Sequence, residues 1–215
     1  MKTLTILSSL ILALTACGKE EVKPTAKETT KEAPSVAAKK EAPKALPAPT
    51  PKADDGADYA RVLISHKEKK PTDPVIVNFP GIKVVKADFD PSNLEGASAE
   101  VSLDLLSLSS GIPKRDGHLK SEDYLDVAAT PEILIKVSDV KKSGDNYEAT
   151  AEVSAHGATA SYPVKFKVLS SDDTSVVVEA THTFKRTDFN IGLGEDDKSA
   201  EELTMEMRLT FKKEA

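Results

Sequence analysis

From Asp58 onward, apolar and polar residues alternate with a period of two. Ala99, Val101, Leu103 and Leu105 are separated by Glu100, Ser102 and Asp104. After Pro131 come Ile133, Ile135 and Val137, then Tyr147, Ala149, Ala151 and Val153. Tyr162, Val164, Phe166 and Val168 alternate with Pro163, Lys165 and Lys167. Val176, Val178, Ala180, His182 and Phe184 form another series, and Leu203, Met205, Met207, Leu209 and Phe211 the last. Side chains alternate faces along a strand, so each run predicts a strand with one apolar and one polar face. Val62–Ile64, Val75–Phe79 and Ile82–Val84 are shorter candidates, interrupted by Pro71, Pro74 and Pro80. Ser143-Gly144-Asp145-Asn146 and Ser170-Ser171-Asp172-Asp173 suit hairpin turns, and Gly157 marks another connection. Only Lys120–Val127 reads as a helix, with Ser121 as its N-cap. About eight amphipathic strands predict an all-β sandwich or a closed antiparallel barrel, and periodicity alone leaves both open.

The residues before Asp58 follow a different pattern. Met1-Lys2 is followed by an apolar run from Leu4 to Leu14, too short for a permanent membrane span but of signal-peptide length. Leu14-Thr15-Ala16-Cys17 resembles the bacterial lipobox, in which the cysteine becomes the acylated mature N-terminus. Residues 1–16 are therefore expected to be a lipoprotein signal peptide, and Cys17 the lipidated membrane anchor. Several acyl chains hold stably where one holds weakly. Gly18 follows the cysteine in place of an Asp that in some bacteria retains lipoproteins at the inner membrane, so the expected address is the periplasmic face of the outer membrane. Residues 17–57 are Lys, Glu, Ala, Pro and Thr with no aromatic residue, a composition that cannot offset ordering entropy by burial. They are expected to be a disordered linker, leaving residues 58–215 as the folded domain.

The formal net charge is −6, while lysines and acidic residues nearly cancel within the linker. The domain is thus acidic, which argues against nucleic acid and against adhesion to anionic headgroups. A lone cysteine rules out an internal disulfide. His66, His118, His156 and His182 form no paired or helical metal motif, so no metal site is expected. No nucleophile elbow or phosphate-cradling glycine loop is present, and no catalytic residue is assigned. His156 is read as a turn residue. His182 shares the face of Val178 and Ala180, predicting a hydrogen-bonded histidine at a barrel mouth. Arg115, Asp116 and His118, within RDGHLK, are read as a structural loop fixed by charge-assisted hydrogen bonds. Val164, Phe166, Val168, Val176, Val178, Met205, Met207 and Leu209 share the apolar face. They either pack a filled core or line a lumen in which methionine supplies adaptable contact.

Three segments carry a family resemblance: SLSSGIPKRDGHLKSEDYLDVAATP (107–131), Ala155-His156-Gly157, and KRTDFNIG (185–192). In order and spacing they resemble the YceI-like family of bacterial periplasmic proteins, over roughly residues 98–211. The resemblance implies an eight-stranded lipocalin-like antiparallel barrel with one short helix. It also implies a non-enzymatic role, binding an isoprenoid, polyisoprenoid or quinone-type apolar ligand, with no cofactor beyond it. The competing expectation is a structural or adaptor lipoprotein whose barrel is filled and whose surface meets an envelope protein.

Overall fold

A computed structural model describes residues 56–67, 74–194 and 198–213. The expected signal peptide, Cys17 and nearly all of the linker lie outside the described residues. The described chain is all-β with one short helix. Its strands are β1 (Tyr59–His66), β2 (Val75–Asn78), β3 (Ile82–Asp90), β4 (Asn93–Asp104), β5 (Glu132–Ser143), β6 (Asn146–Ala155), β7 (Ala158–Ser171), β8 (Ser175–Lys185) and β9 (Ser199–Lys212), and its helix is α1 (Pro113–Leu119). Nine strands replace the expected eight, because the proline-interrupted early segments form three separate strands. They make one antiparallel sheet in the order β2-β1-β9-β8-β7-β6-β5-β4-β3. From β3 to β9 the chain meanders between neighbours, and β1 then pairs with β9.

The sheet curls on itself. Phe89 of β3 meets Phe211 of β9 edge to face, with ring centroids 6.4 Å apart, although the two strands share no ladder. The alternation sets the faces. Lys165 and Lys167 point outward and pair with Glu148 and Glu179 at 2.9 and 2.7 Å. Val164 and Phe166, between and beside them, point inward. Bulges adjust the register where the sequence pattern slips. One lies between Ser138 and Lys141, where Asp139 takes a positive φ of 54° and Val140 turns into the core.

The β7–β8 pair is incomplete. Its ladder runs from Phe166↔Ala180 to Ser171↔Val176, whereas β8 stays paired with β9 up to Lys185. The two strands part above Phe166. Pro163 lies just inside the parting and has no N–H to give a ladder.

Topology gathers the connections at one end. The β4–β5 segment, the His156-Gly157 turn and the β8–β9 segment all leave the sheet there. His156 and Gly157 both take positive φ, 48° and 74°, between paired Ala155 and Ala158, the geometry of a two-residue hairpin turn. The β4–β5 segment folds over this end as a cap. Leu105, expected in a strand, instead begins a 3-10 turn, with Asp104 Oδ1 accepting from Leu106 N–H at 2.9 Å. The helix lies earlier than predicted. Pro113 occupies its first turn, where a missing N–H costs nothing. Residues 120–127 form turns instead: the Ser121 hydroxyl donates to the His118 carbonyl, and Asp126 takes a φ of 40°.

Arg186 fixes the β8–β9 segment. It is buried, its Nε donates to the Ala200 carbonyl at 3.1 Å, and its Nη1 donates to the carbonyls of Ile191 and Gly192. The carbonyls of Ile191 and Gly192 lie in the loop without a ladder partner, and the guanidinium supplies one for each while its bond to Ala200 ties the loop to the start of β9. Arg186→Met keeps the stem and removes the donors. It is expected to lower unfolding stability by about 2–4 kcal/mol, read from urea melts; a change within about 0.5 kcal/mol would mean that the loop is held by other contacts.

Candidate functional site

The inward faces do not meet at the axis. They enclose a cavity of about 260 Å³, above the ~150 Å³ of an apolar cavity that stays dry and binds a small aromatic. The lining is almost wholly apolar. Val101, Ile133 and Ile135 on β4 and β5 are buried, while Val164, Phe166, Val178, Met205 and Met207 across the cavity are only half-buried although they point inward. Leu119, Tyr124 and Leu125 of the cap close one end. Toward the other end, Leu94, Val140, Ala149 and Val176 form a separate buried cluster.

Of the lumen residues expected from sequence, Val164, Phe166, Val176, Val178, Met205, Met207 and Leu209 line this cavity. Val168 does not. It pairs in regular register with Val178 and packs against the cluster of Leu94, Val140, Ala149 and Val176, where it also borders a small outer depression with Pro91 and Tyr147. Arg115, Asp116 and His118 lie in α1 rather than in a loop. Asp116 Oδ1 accepts from Ser110 N–H at 2.7 Å and from the Ser110 hydroxyl, which ties the helix to the chain before it. His118 stacks edge-on against Tyr124 at 4.7 Å. Among the described residues no three His, Cys, Asp or Glu side chains gather as metal ligands.

His182 departs from the expected hydrogen-bonded histidine. Its Nε2 is buried and has no hydrogen-bond partner among the described residues. The ring lines the cavity and rests against Tyr162, with centroids 5.1 Å apart. Burial lowers its proton affinity below the ordinary imidazole value, which favours the neutral ring. The Tyr162 hydroxyl donates to Asp188 Oδ2 at 2.7 Å, and burial followed by that carboxylate raises its pKa. His156 Nδ1 lies 3.0 Å from the Phe189 carbonyl oxygen. Sequence reasoning missed the cap residues and Phe79 and Phe89 as lining. Leu119 ends α1 and Tyr124 and Leu125 sit in turns, outside any period-two run, while Phe79 lies in the connection after β2 and Phe89 near the end of β3, between Pro80 and Pro91.

An antiparallel sheet curled around an apolar cavity and capped at one end defines a class of cavity-enclosing β proteins. The chain belongs to the YceI-like domain family, whose model matches residues 72–211. That match takes in β2 and β3, ahead of the stretch where the sequence motifs lie. Protein YceI of Escherichia coli O157:H7 is 29% identical over 108 residues, covering 48% of this chain and 56% of that protein. The chain thus spans about half the length of the curated relatives it matches. The fold is similar to that of Burkholderia cenocepacia BcnA, with a TM-score of 0.64 at 18% identity over 72% of this chain and 96% of that one. It is also similar to a polyisoprenoid binding domain from Saccharophagus degradans, with a TM-score of 0.58 at 14% identity over 75% of this chain and 97% of that one.

Phe166 separates an open cavity from a filled core. It stacks on Tyr147 at 5.3 Å and borders the cavity, so Phe166→Ala is expected to cost about 1–2 kcal/mol rather than the ~3–5 of a packed core. Phe166→Glu should keep the fold, because the open space admits water to the carboxylate, and should lose binding of an apolar fluorescent probe. Lys165→Glu, on the outer face, should cost under about 1 kcal/mol and leave probe binding intact. Denaturation and probe titration of the three variants check this; unfolding by Lys165→Glu with tolerance of Phe166→Glu would invert the assigned faces.

Proposed function

We propose that the domain is a non-enzymatic binding module that shields an apolar chain of isoprenoid or polyisoprenoid type in its cavity. The observation that supports the reading is the cavity itself: inward-pointing Val, Met and Phe side chains that remain half-buried because nothing fills the axis. A packed core leaves no such space. An apolar chain entering it gains van der Waals contact and removes its own surface from water. The Saccharophagus degradans domain of the same fold is described as polyisoprenoid binding, which supports the same ligand class here. A filled-barrel adaptor is the weaker reading, since it has no use for the cavity.

The proposal extends to the anchor. Acylated Cys17 would hold the chain at the periplasmic face of the cell envelope, at the outer membrane in preference to the inner. The linker would let the domain leave the surface. An apolar carrier tethered this way could take up and shield chains that water excludes.

One experiment tests both parts. Wild type and Cys17→Ser are purified from the native host and examined by native mass spectrometry before and after lipid extraction. Wild type is expected in the membrane fraction with an acylated N-terminus and a bound, extractable apolar molecule. Cys17→Ser should be soluble and unacylated yet able to bind an added polyprenol or quinone. Absence of any bound lipid, with no binding of added polyprenol or quinone, would defeat the ligand reading; recovery of Cys17→Ser in membranes at the wild-type level would defeat the anchor.

A further inference from the structure

Few polar atoms reach the cavity, and most are already committed. The Arg186 guanidinium donates to three backbone carbonyls. The Tyr162 hydroxyl is held by Asp188. Nε2 of His182 is different: it is shielded from solvent, lies on a cavity-lining ring and lacks a partner among the described residues. Buried polar atoms in folded proteins are almost always hydrogen-bonded, and an unpartnered one is costly until a partner arrives.

Position adds a second argument. His182 lies two residues beyond Ala180, the last β8 residue in the ladder with β7. It therefore sits on the inward face where the two strands part. The opposite end of the cavity, at Leu94 and Val176, is buried and apolar. The cavity lining thus carries an unpartnered polar ring at a break in the wall and is otherwise almost wholly apolar. An amphiphile with a single small head and a long chain has the same distribution.

Charge narrows the head. Burial favours the neutral imidazole, which has one N–H donor and one acceptor nitrogen. A neutral ring can hydrogen-bond a hydroxyl or a carbonyl but offers no counter-charge to a phosphate.

We propose that His182 is the head-group residue of the cavity, hydrogen-bonding through Nε2 the single neutral oxygen of an amphiphile whose chain runs toward Leu94 and Val176. This rests on the reading of the cavity as a ligand site. The residue determines specificity by discriminating an oxygen-headed chain from a plain hydrocarbon, since an unpaired buried nitrogen penalises the ligand that cannot reach it.

The test compares farnesol with farnesene, a hydrocarbon of the same isoprenoid carbon skeleton that lacks the hydroxyl, on the full chain. Binding is measured by competition for an apolar fluorescent probe, and each affinity is corrected for the ligand's partition into water. Wild type should prefer farnesol by at least about tenfold. His182→Phe, which keeps the ring and removes the nitrogens, should abolish the preference without weakening farnesene; His182→Gln should restore part of it. In wild type labelled with ¹⁵N-histidine, the Nε2 resonance of His182 should shift with farnesol and stay fixed with farnesene. This second readout decides the matter if His182→Phe does not fold. A preference that survives in His182→Phe, or an Nε2 resonance unmoved by bound farnesol, would overturn the head-group role and leave the cavity reading intact. Failure of wild type to bind either compound would overturn both.

Discussion

A sheet that curls until Phe89 and Phe211 of its distant strands touch must have its axis filled, and this chain lacks the side-chain volume to do it. Aromatic residues make up 5% of the sequence and there is no Trp. Alanine occupies inward positions on several strands, among them Ala87, Ala97, Ala99, Ala151, Ala155 and Ala180. An alanine facing an alanine or a valine leaves a gap that neighbouring strands, fixed by their ladders, cannot close. A dry cavity forfeits the contacts its lining would otherwise make. That deficit costs the domain packing energy and leaves the cavity on which the proposed ligand binding rests.

The remaining structure keeps the cavity from collapsing or flooding. At one end the lower cluster of Leu94, Val140, Ala149 and Val176 seals the sheet. At the other, long connections cross the opening; Ser109 bridges to Asn78 of β2, but many of their backbone groups lie outside the ladders. Polar side chains supply missing partners: Arg186 for the carbonyls of Ile191 and Gly192, Asp116 for Ser110, and His156 against Phe189. Phe189, 2% exposed, is pinned between Tyr162 and Phe184. The three segments that carry the family resemblance are these same tying elements, so what they specify is the geometry of the capped end. The ion pairs of the outer face, such as Lys165–Glu148, are exposed and contribute little.

Much of this was legible in the sequence, and the illegible parts have specific causes. Period-two alternation located β4 to β9 and their inward faces, because a half-buried strand enforces it along its length. It failed where the backbone changes register: at Asp139 the inward residue becomes Val140. The helix was misplaced because the apolar spacing of Leu119, Tyr124, Leu125 and Val127 arises from turns folding over a cavity, while Pro113 set the true start. The unpartnered Nε2 of His182 could not be read at all. Its isolation depends on which side chains face it across strands remote in sequence, and on a parting between β7 and β8 that only Pro163 hints at.

The central claim is that an apolar chain occupies the space between the β4–β6 and β7–β9 walls. Methionine offers a direct probe, since Met205 and Met207 are the domain's only methionines and both line the cavity. With ¹³C labels on the methionine methyl groups, addition of a polyprenol is expected to give contacts between ligand protons and both methyls, with both signals shifted. Binding that leaves both methyl signals unmoved and without ligand contacts would place the chain elsewhere and contradict the account.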